Sequence, residues 1–451
     1  MKPKYFLALG LLVLGLGSCG ESFFEQYPSN NITEGNFYKT DDDFNQGVVA
    51  CYAKLKTQMS FHLTEIGYRG DENVLESMAV STQNRYDIDH FAETANNGIL
   101  NDIWNAWYNG IYRCNDVLDH MTGAKIANYD KYRGECLFLR SWWYFNLYRV
   151  FGVVPITRTV VTPAAAKLIP RCTEEEMYTL LTEDLAEAAR LLPPTPGPEK
   201  ARVANIAAYT LLAKVYLTFG KPAEAKTALE EAMKNTSYGL ESTTKKVFDV
   251  GNKMNREIIF ALYYNKTNDN GHGYWYSANT DVLADINNPT PTFKAIYDSE
   301  KDNRLPLISS YTKIKDNLFA MTKWYDTYDA TYTTQVGNDF PHLRYADVVL
   351  MYAEALAESG GSLGDALEWL NKTRTRAGLD ELTTDEVKSL AEFRRELAAE
   401  RGREFALEGH RWFDLVRLGL AVDYFREMGY SLDSHNLIFP IPQSQIEIVN
   451  N

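Results

Sequence analysis

The chain has 451 residues, 45% of them hydrophobic and 13% aromatic, with a formal net charge of -14 and a pI near 5.1. That length admits two or three ordinary domains or one large repeat-built one, and the apolar content suffices for a packed core, which excludes a disordered chain. Phosphate neutralisation needs a basic footprint, so the acidity argues against nucleic acid as a partner.

Lys2 and Lys4 precede an almost wholly apolar run from Tyr5 to Gly17, too short for a membrane span and suited to a signal-peptide core. It ends in Leu16-Gly17-Ser18-Cys19, which resembles the bacterial lipobox, so residues 1–18 are expected to be removed and Cys19 to carry the lipid. Losing the two lysines takes the net charge from -14 to -16. Residues 19–36 are then a lipidated tether, and the acyl chains are the expected membrane attachment.

Asp41-Asp42-Asp43 reads as the polar start of a helix holding Phe44 and Val48, where acids favour the dipole. Asn101–Met121, with Trp104, Tyr108 and Ile111 on one stripe, and Tyr132–Phe151 are long amphipathic helices. Thr173-Glu174-Glu175-Glu176 and Thr383-Thr384-Asp385-Glu386 have the spacing of capping boxes. In Asn205–Lys234, the order Leu212, Ala213, Tyr216, Gly220, Ala225 and Ala232 reads as a helical hairpin like a tetratricopeptide unit. Leu343–Arg376 is a looser second unit. The fold class expected is mainly α, a tetratricopeptide-like helical repeat scaffold with a loop-rich lobe. The scaffold covers about 37–238 and 342–430, and the irregular ligand lobe about 65–98 and 239–341.

Five cysteines occur, with no C-x-x-C pair. Cys51, Cys114 and Cys136 read as small hydrophobes in helices, with a disulfide among them left open. Trp104, Trp107, Trp142, Trp143 and Trp412 lie at helical positions and belong in the core.

A run of segments resembles the SusD/RagB family of Bacteroidetes outer-membrane nutrient-binding lipoproteins: Phe37-Tyr38-Lys39-Thr40, Trp104-x-x-x-Tyr108-x-x-Ile111-x-x-x-Asn115, Phe151-Gly152-Val153-Val154-Pro155, Leu343-Arg344-Tyr345-Ala346-Asp347, the stretch Glu404–Leu415, and Phe439-Pro440-Ile441-Pro442. The resemblance spans nearly the whole mature chain. It implies one SusD-like domain over 37–451 and capture of oligosaccharides or polysaccharides at the cell surface. It also implies delivery to a SusC-like TonB-dependent transporter, from a lipid-anchored position on the outer membrane. A RagB-like peptide-binding role is the alternative.

Glu400, Glu404 and Glu408 share one helical stripe with Arg401, Arg403, His410, Arg411 and Asp414 nearby. Glu404 and Glu408 are the pair a glycoside hydrolase would need, yet alternating acids and arginines fit a buried ion-pair network better. His410 reads as a hydrogen-bonded structural residue. No catalytic residue, cofactor or metal is assigned. The binding candidates are aromatics in the irregular lobe, whose rings can stack on sugar C–H faces: Tyr274, Trp275 and Tyr276 in a glycine-flanked loop, then Trp324, Tyr325 and Tyr328 (with Tyr332 beyond), and Tyr68 and Tyr86. Asn270, Asn279, Asp326 and Arg85 could meet the hydroxyls.

Overall fold

Helix-forming runs of alanine and leucine, stopped by Gly, Pro and capping side chains, build most of the molecule. The structure is a computed structural model that describes residues 37–72, 83–197, 199–265, 277–279, 289–315, 318–326 and 337–450. The scaffold begins with α1 (Asp41–Gly67), α2 (Gln83–Asp89), α3 (Gly98–Met121) and α4 (Tyr129–Phe151). It continues through α5 (Pro163–Ala166), α6 (Glu174–Leu191), α7 (Asn205–Thr218) and α8 (Pro222–Met233). The lobe then holds α9 (Thr244–Val247), α10 (Pro291–Lys294) and α11 (Leu305–Ser309). Helices return with α12 (Tyr345–Glu358), α13 (Leu363–Arg376), α14 (Leu390–Glu404), α15 (Arg411–Arg417), α16 (Ala421–Glu427) and α17 (Gln443–Asn450).

Helix starts follow the local chemistry. Thr40 and Asp43 form a reciprocal capping box at α1, as Thr173 and Glu176 do at α6. Thr383 donates from its amide and hydroxyl to Glu386, but the Glu386 amide bonds the Thr383 carbonyl to close a single turn, and Ser389 caps α14 instead. The expected hairpins are α7–α8 and α12–α13. Small residues at Ala213, Ala225 and Ala232 are fully buried where α7 meets α8. Along the scaffold α3 packs on α1 and α4, α6 on α4 and α7, and α8 on α12. The last contact joins the two halves of the scaffold across the lobe.

Helix α4 is the centre, with residues 134–147 buried without a break. A helix surrounded on all sides must satisfy its polar groups internally. Arg140 does so by forking onto Asp184 of α6 at 2.8 and 2.9 Å and donating to Asn115 of α3 at 2.9 Å. Trp143 lies against Gly110 so closely that a Cβ there would sit 2.2 Å from the indole. Gly110→Ala is therefore expected to lower unfolding free energy by roughly 1–3 kcal/mol through overpacking; urea titration checks this, and an unchanged midpoint would mean the two helices separate freely.

All five core tryptophans are buried, and Cys51, Cys114 and Cys136 are buried free thiols. The stretches read as irregular contain more order than their composition suggested. Helix α2 lies within 65–98. The lobe holds β1 (Ile258–Leu262), β2 (Ser277–Asn279), β3 (Tyr311–Lys315), β4 (Leu318–Met321) and β5 (Phe340–Arg344). Strand β1 pairs antiparallel with β5, Leu262 facing Phe340, and β2-β4-β3 form a second antiparallel sheet. Among the described residues no helix is long and apolar enough to cross a membrane.

Candidate functional site

Segments 73–82, 266–276, 280–288 and 327–336 lie outside the described residues, and two sets of hydrogen bonds link residues that flank them. In the first, the Asp71 carbonyl accepts from Thr290 Oγ1 at 2.8 Å. In the second, Lys253 donates to the Tyr264 carbonyl at 2.5 Å and the Gly337 carbonyl at 2.7 Å, and pairs with Asp339 at 2.7 Å. Asp339 accepts from the Tyr264 amide, and Asp326 accepts from the Gly337 amide at 2.9 Å. Asp326 thus closes a loop base and is not the free hydroxyl partner expected. Lys323 pins the same region to the scaffold through the Ala406 carbonyl and Glu408, at 2.5 and 2.7 Å.

Two of the ring candidates are corrected. Trp324 is 0% exposed and packs edge-on to Phe248 at 5.1 Å, so it anchors the lobe and offers no face to a ligand. Tyr68, at the end of α1, is 2% exposed and belongs to the core. Tyr86 on α2 is half-buried and stacks on His90 at 3.8 Å, while Arg85 donates to Glu65 at 3.2 Å. Tyr325 is half-buried at the root of a loop. Asn279 lies on β2 opposite Leu318, and nothing is described of its side chain. Asn270, Tyr274, Trp275, Tyr276, Tyr328, Tyr332 and Cys19 lie outside the described residues.

One ring escaped sequence reasoning. Tyr263 is 44% exposed at a loop root, with the Lys253 ammonium 4.0 Å from its ring centroid. The strand period that buries Leu262 and Tyr264 would have pointed Tyr263 outward, but the apolar run before it reads as continuous core.

The acidic stripe of α14 is an ion-pair network. Arg344 donates to Glu257 at 2.8 Å, to Glu404 at 2.6 Å and to Glu408 at 2.8 and 3.0 Å. Arg304 reaches Glu400 at 2.7 Å, Glu404 at 3.0 Å and Asp302 at 2.8 Å, and Arg376 pairs with Glu257 and Glu404. Burial alone would raise the Glu404 carboxyl, yet Arg376, Arg344 and Arg304 hold it well below the carboxylate range. Both Glu404 and Glu408 are buried and committed to cations, so a substrate has no access to this pair. A neighbouring set joins Arg401 to Asp347 and Asp414 at 2.9 and 2.8 Å, and Lys214 to Asp347. His410 sits beside them, stacked on Phe405 with Nδ1 3.5 Å from both Lys214 and Arg401, a structural residue as expected. Among the described residues no His, Cys, Asp and Glu group is placed to hold a metal ion.

Glu72, at the root of the first loop, departs from this balance. Burial, with Asp71 adding to it, pushes its carboxyl up to about 8. The folded state then holds a proton that an unfolded carboxyl near 4.3 has released, so this group lowers stability as pH rises from about 4.3 towards 8. Glu72→Gln is expected to raise the melting temperature at pH 8 more than at pH 5, and an equal shift at both would refute the buried neutral carboxyl.

Two family sequence models match this chain, that of the SusD family over residues 299–451 and one described as starch-binding associating with outer membrane over 27–217. The chain belongs to the SusD family. The stretch 218–298, with β1 and β2, lies outside both matches. A SusD-like protein P2 of Formosa agariphila is 25% identical over 99% of this chain and 98% of its own length. The starch-binding protein SusD of Bacteroides thetaiotaomicron is 34% identical over 139 residues, 28% of this chain and 24% of its own. The solved structure of surface glycan-binding protein A from Bacteroides thetaiotaomicron, in complex with laminarihexaose, superposes with a TM-score of 0.74 at 21% identity, covering 90% of this chain and 97% of that one. The helical SusD scaffold is thus shared.

Proposed function

We propose that this SusD-family protein captures oligosaccharides at the cell surface with its loop-rich lobe and passes them to a SusC-like TonB-dependent transporter, held to the outer membrane by lipid on Cys19. The observation that carries the reading is the hydrogen-bonded frame around Lys253, Asp326, Gly337 and Asp339. Hydrogen bonds through Lys253 and Asp326 hold together the residues that flank segments 266–276 and 327–336, whose sequences carry Tyr274, Trp275, Tyr276, Tyr328 and Tyr332. A rigid base under several aromatic loops is how a scaffold positions a binding surface. Relatives support the ligand class, since one is named for starch and a solved structure of the same fold holds laminarihexaose. The family description of association with the outer membrane supports the location. The Trp275 loop, Tyr86, Tyr325 and exposed Tyr263 are the rings assigned to the sugar.

The test is calorimetry of the soluble chain beginning at Gly20 against laminarin, starch and a panel of plant, host and microbial polysaccharides. Saturable binding of one polysaccharide class is expected. Silence across the panel, with binding of a peptide pool instead, would move the assignment to peptide uptake.

A further inference from the structure

A second concave surface lies away from the loop roots. A cleft of about 870 Å³ opens between the first half of α3, the end of α4, the segment after α5 and the C-terminal segment. Its walls include Phe91, Trp104, Phe151, Ile169, Phe439 and Ile441. Of the large apolar side chains that the described surface exposes, Leu168 at 84%, Ile438 at 46% and Ile446 at 39% belong to the segments that form it. Exposed apolar side chains gathered around an apolar cleft mark a docking surface. Lys167 and Arg171 are cations on its edge, on a chain whose net charge is -14. At Ile169, Pro170 and Arg171 the cleft runs into a smaller depression of about 420 Å³, which Arg158 borders.

The start of the described chain points to the occupant. Tyr38 donates to Asp116 at 2.8 Å and stacks on His120, at the C-terminal end of α3. Asp119 in the same turn accepts from the Val160 amide at 2.7 Å, two residues from Arg158. Tyr38 therefore sits on the side of the scaffold that carries the smaller depression. From Asp116 back to Trp104 is about 18 Å along the helix, and the stretch from Phe24 to Phe37 can span roughly 43 Å when extended. Residues 19–36 carry Glu21, Glu25 and Glu34 with no lysine or arginine, and have Phe23, Phe24, Tyr27 and Ile32 as apolar groups. Apolar content and reach both match the groove.

We propose that the tether of residues 19–36 folds back along this groove, with Phe23 and Phe24 in the large cleft and its glutamates towards Lys167 and Arg171. The consequence is an orientation. Docked so close to Cys19, the tether brings the attachment point to this face of the scaffold and sets which side of the protein meets the membrane.

The experiment uses the chain beginning at Gly20 with p-benzoylphenylalanine in place of Phe24. On irradiation, an intramolecular adduct to residues 166–171 or 434–446 is expected in the monomer, and Ile438→Asp at the exposed edge is expected to abolish it. Adducts elsewhere, adducts only between two chains, or none at all would overturn the proposal. As a second readout, Phe23→Ser with Phe24→Ser, Ile438→Asp, and the three combined are melted in the same chain. Docking predicts that the combination melts no lower than the worse of its parts, whereas additive losses would refute the contact.

Discussion

Arg344→Met is expected to cost about 3–5 kcal/mol of unfolding free energy. The guanidinium is buried and serves Glu257 before β1, Glu404 at the end of α14 and Glu408 in the turn after it. Removing it leaves charges in a medium that solvates them poorly, and methionine fills the volume without offering a donor. Urea unfolding at pH 7 checks the value, and a loss below about 1 kcal/mol would show that water reaches the network. Acid should reproduce the effect. Burial would raise the carboxyls of Asp347, Glu404 and Asp414, but their cations hold all three well below the usual carboxylate range. Their stabilisation is complete above about pH 4, where the unfolded groups are ionised, and is lost as pH falls towards the folded values. Melting temperature should therefore drop steeply below pH 4, and the Arg344→Met chain should lose only the share that Glu404 contributes, because Asp347 and Asp414 keep Lys214, Arg401 and Arg417.

The second large effect separates two tryptophans that look alike in sequence. Trp324→Ala is expected to destabilise the fold by about 3–5 kcal/mol, because a buried indole packed on Phe248 and Phe340 leaves a cavity. Trp275→Ala is expected to leave the melt unchanged and weaken glycan binding by roughly 10–100-fold, the loss of one aromatic contact worth about 1.4–2.8 kcal/mol. Calorimetry and thermal melts on both variants decide the matter. Loss of stability in Trp275→Ala with intact binding would remove that ring from the site.

Trp275 is placed by sequence between glycines and asparagines, a setting that favours exposed turns. Trp324 sits in a similar polar context, Lys323 before it and Tyr325 after, and nothing local says that its ring turns inward. The difference arises from partners distant in the chain. Phe248 and Phe340 form the pocket, and Lys323 is drawn to Ala406 and Glu408 on the far side of the scaffold. Likewise, the alternation of acids and arginines along α14 announced ion pairs, but not that Glu404 would meet three guanidiniums from separate elements.

Sequence by itself determined the helical class, the α7–α8 and α12–α13 hairpins, the helix start at Asp41, the cap at Thr173, and the family, because helical period and capping chemistry act over a few residues. The burial of the five tryptophans at helical positions followed from the same period. Only the tertiary structure decided that Tyr68 and Trp324 are core, that Tyr263 is exposed, that Asp326 closes a loop base, and that α8 meets α12 across the lobe. Each of those outcomes depends on contacts between residues far apart in the chain, and side-chain burial is set by what packs there.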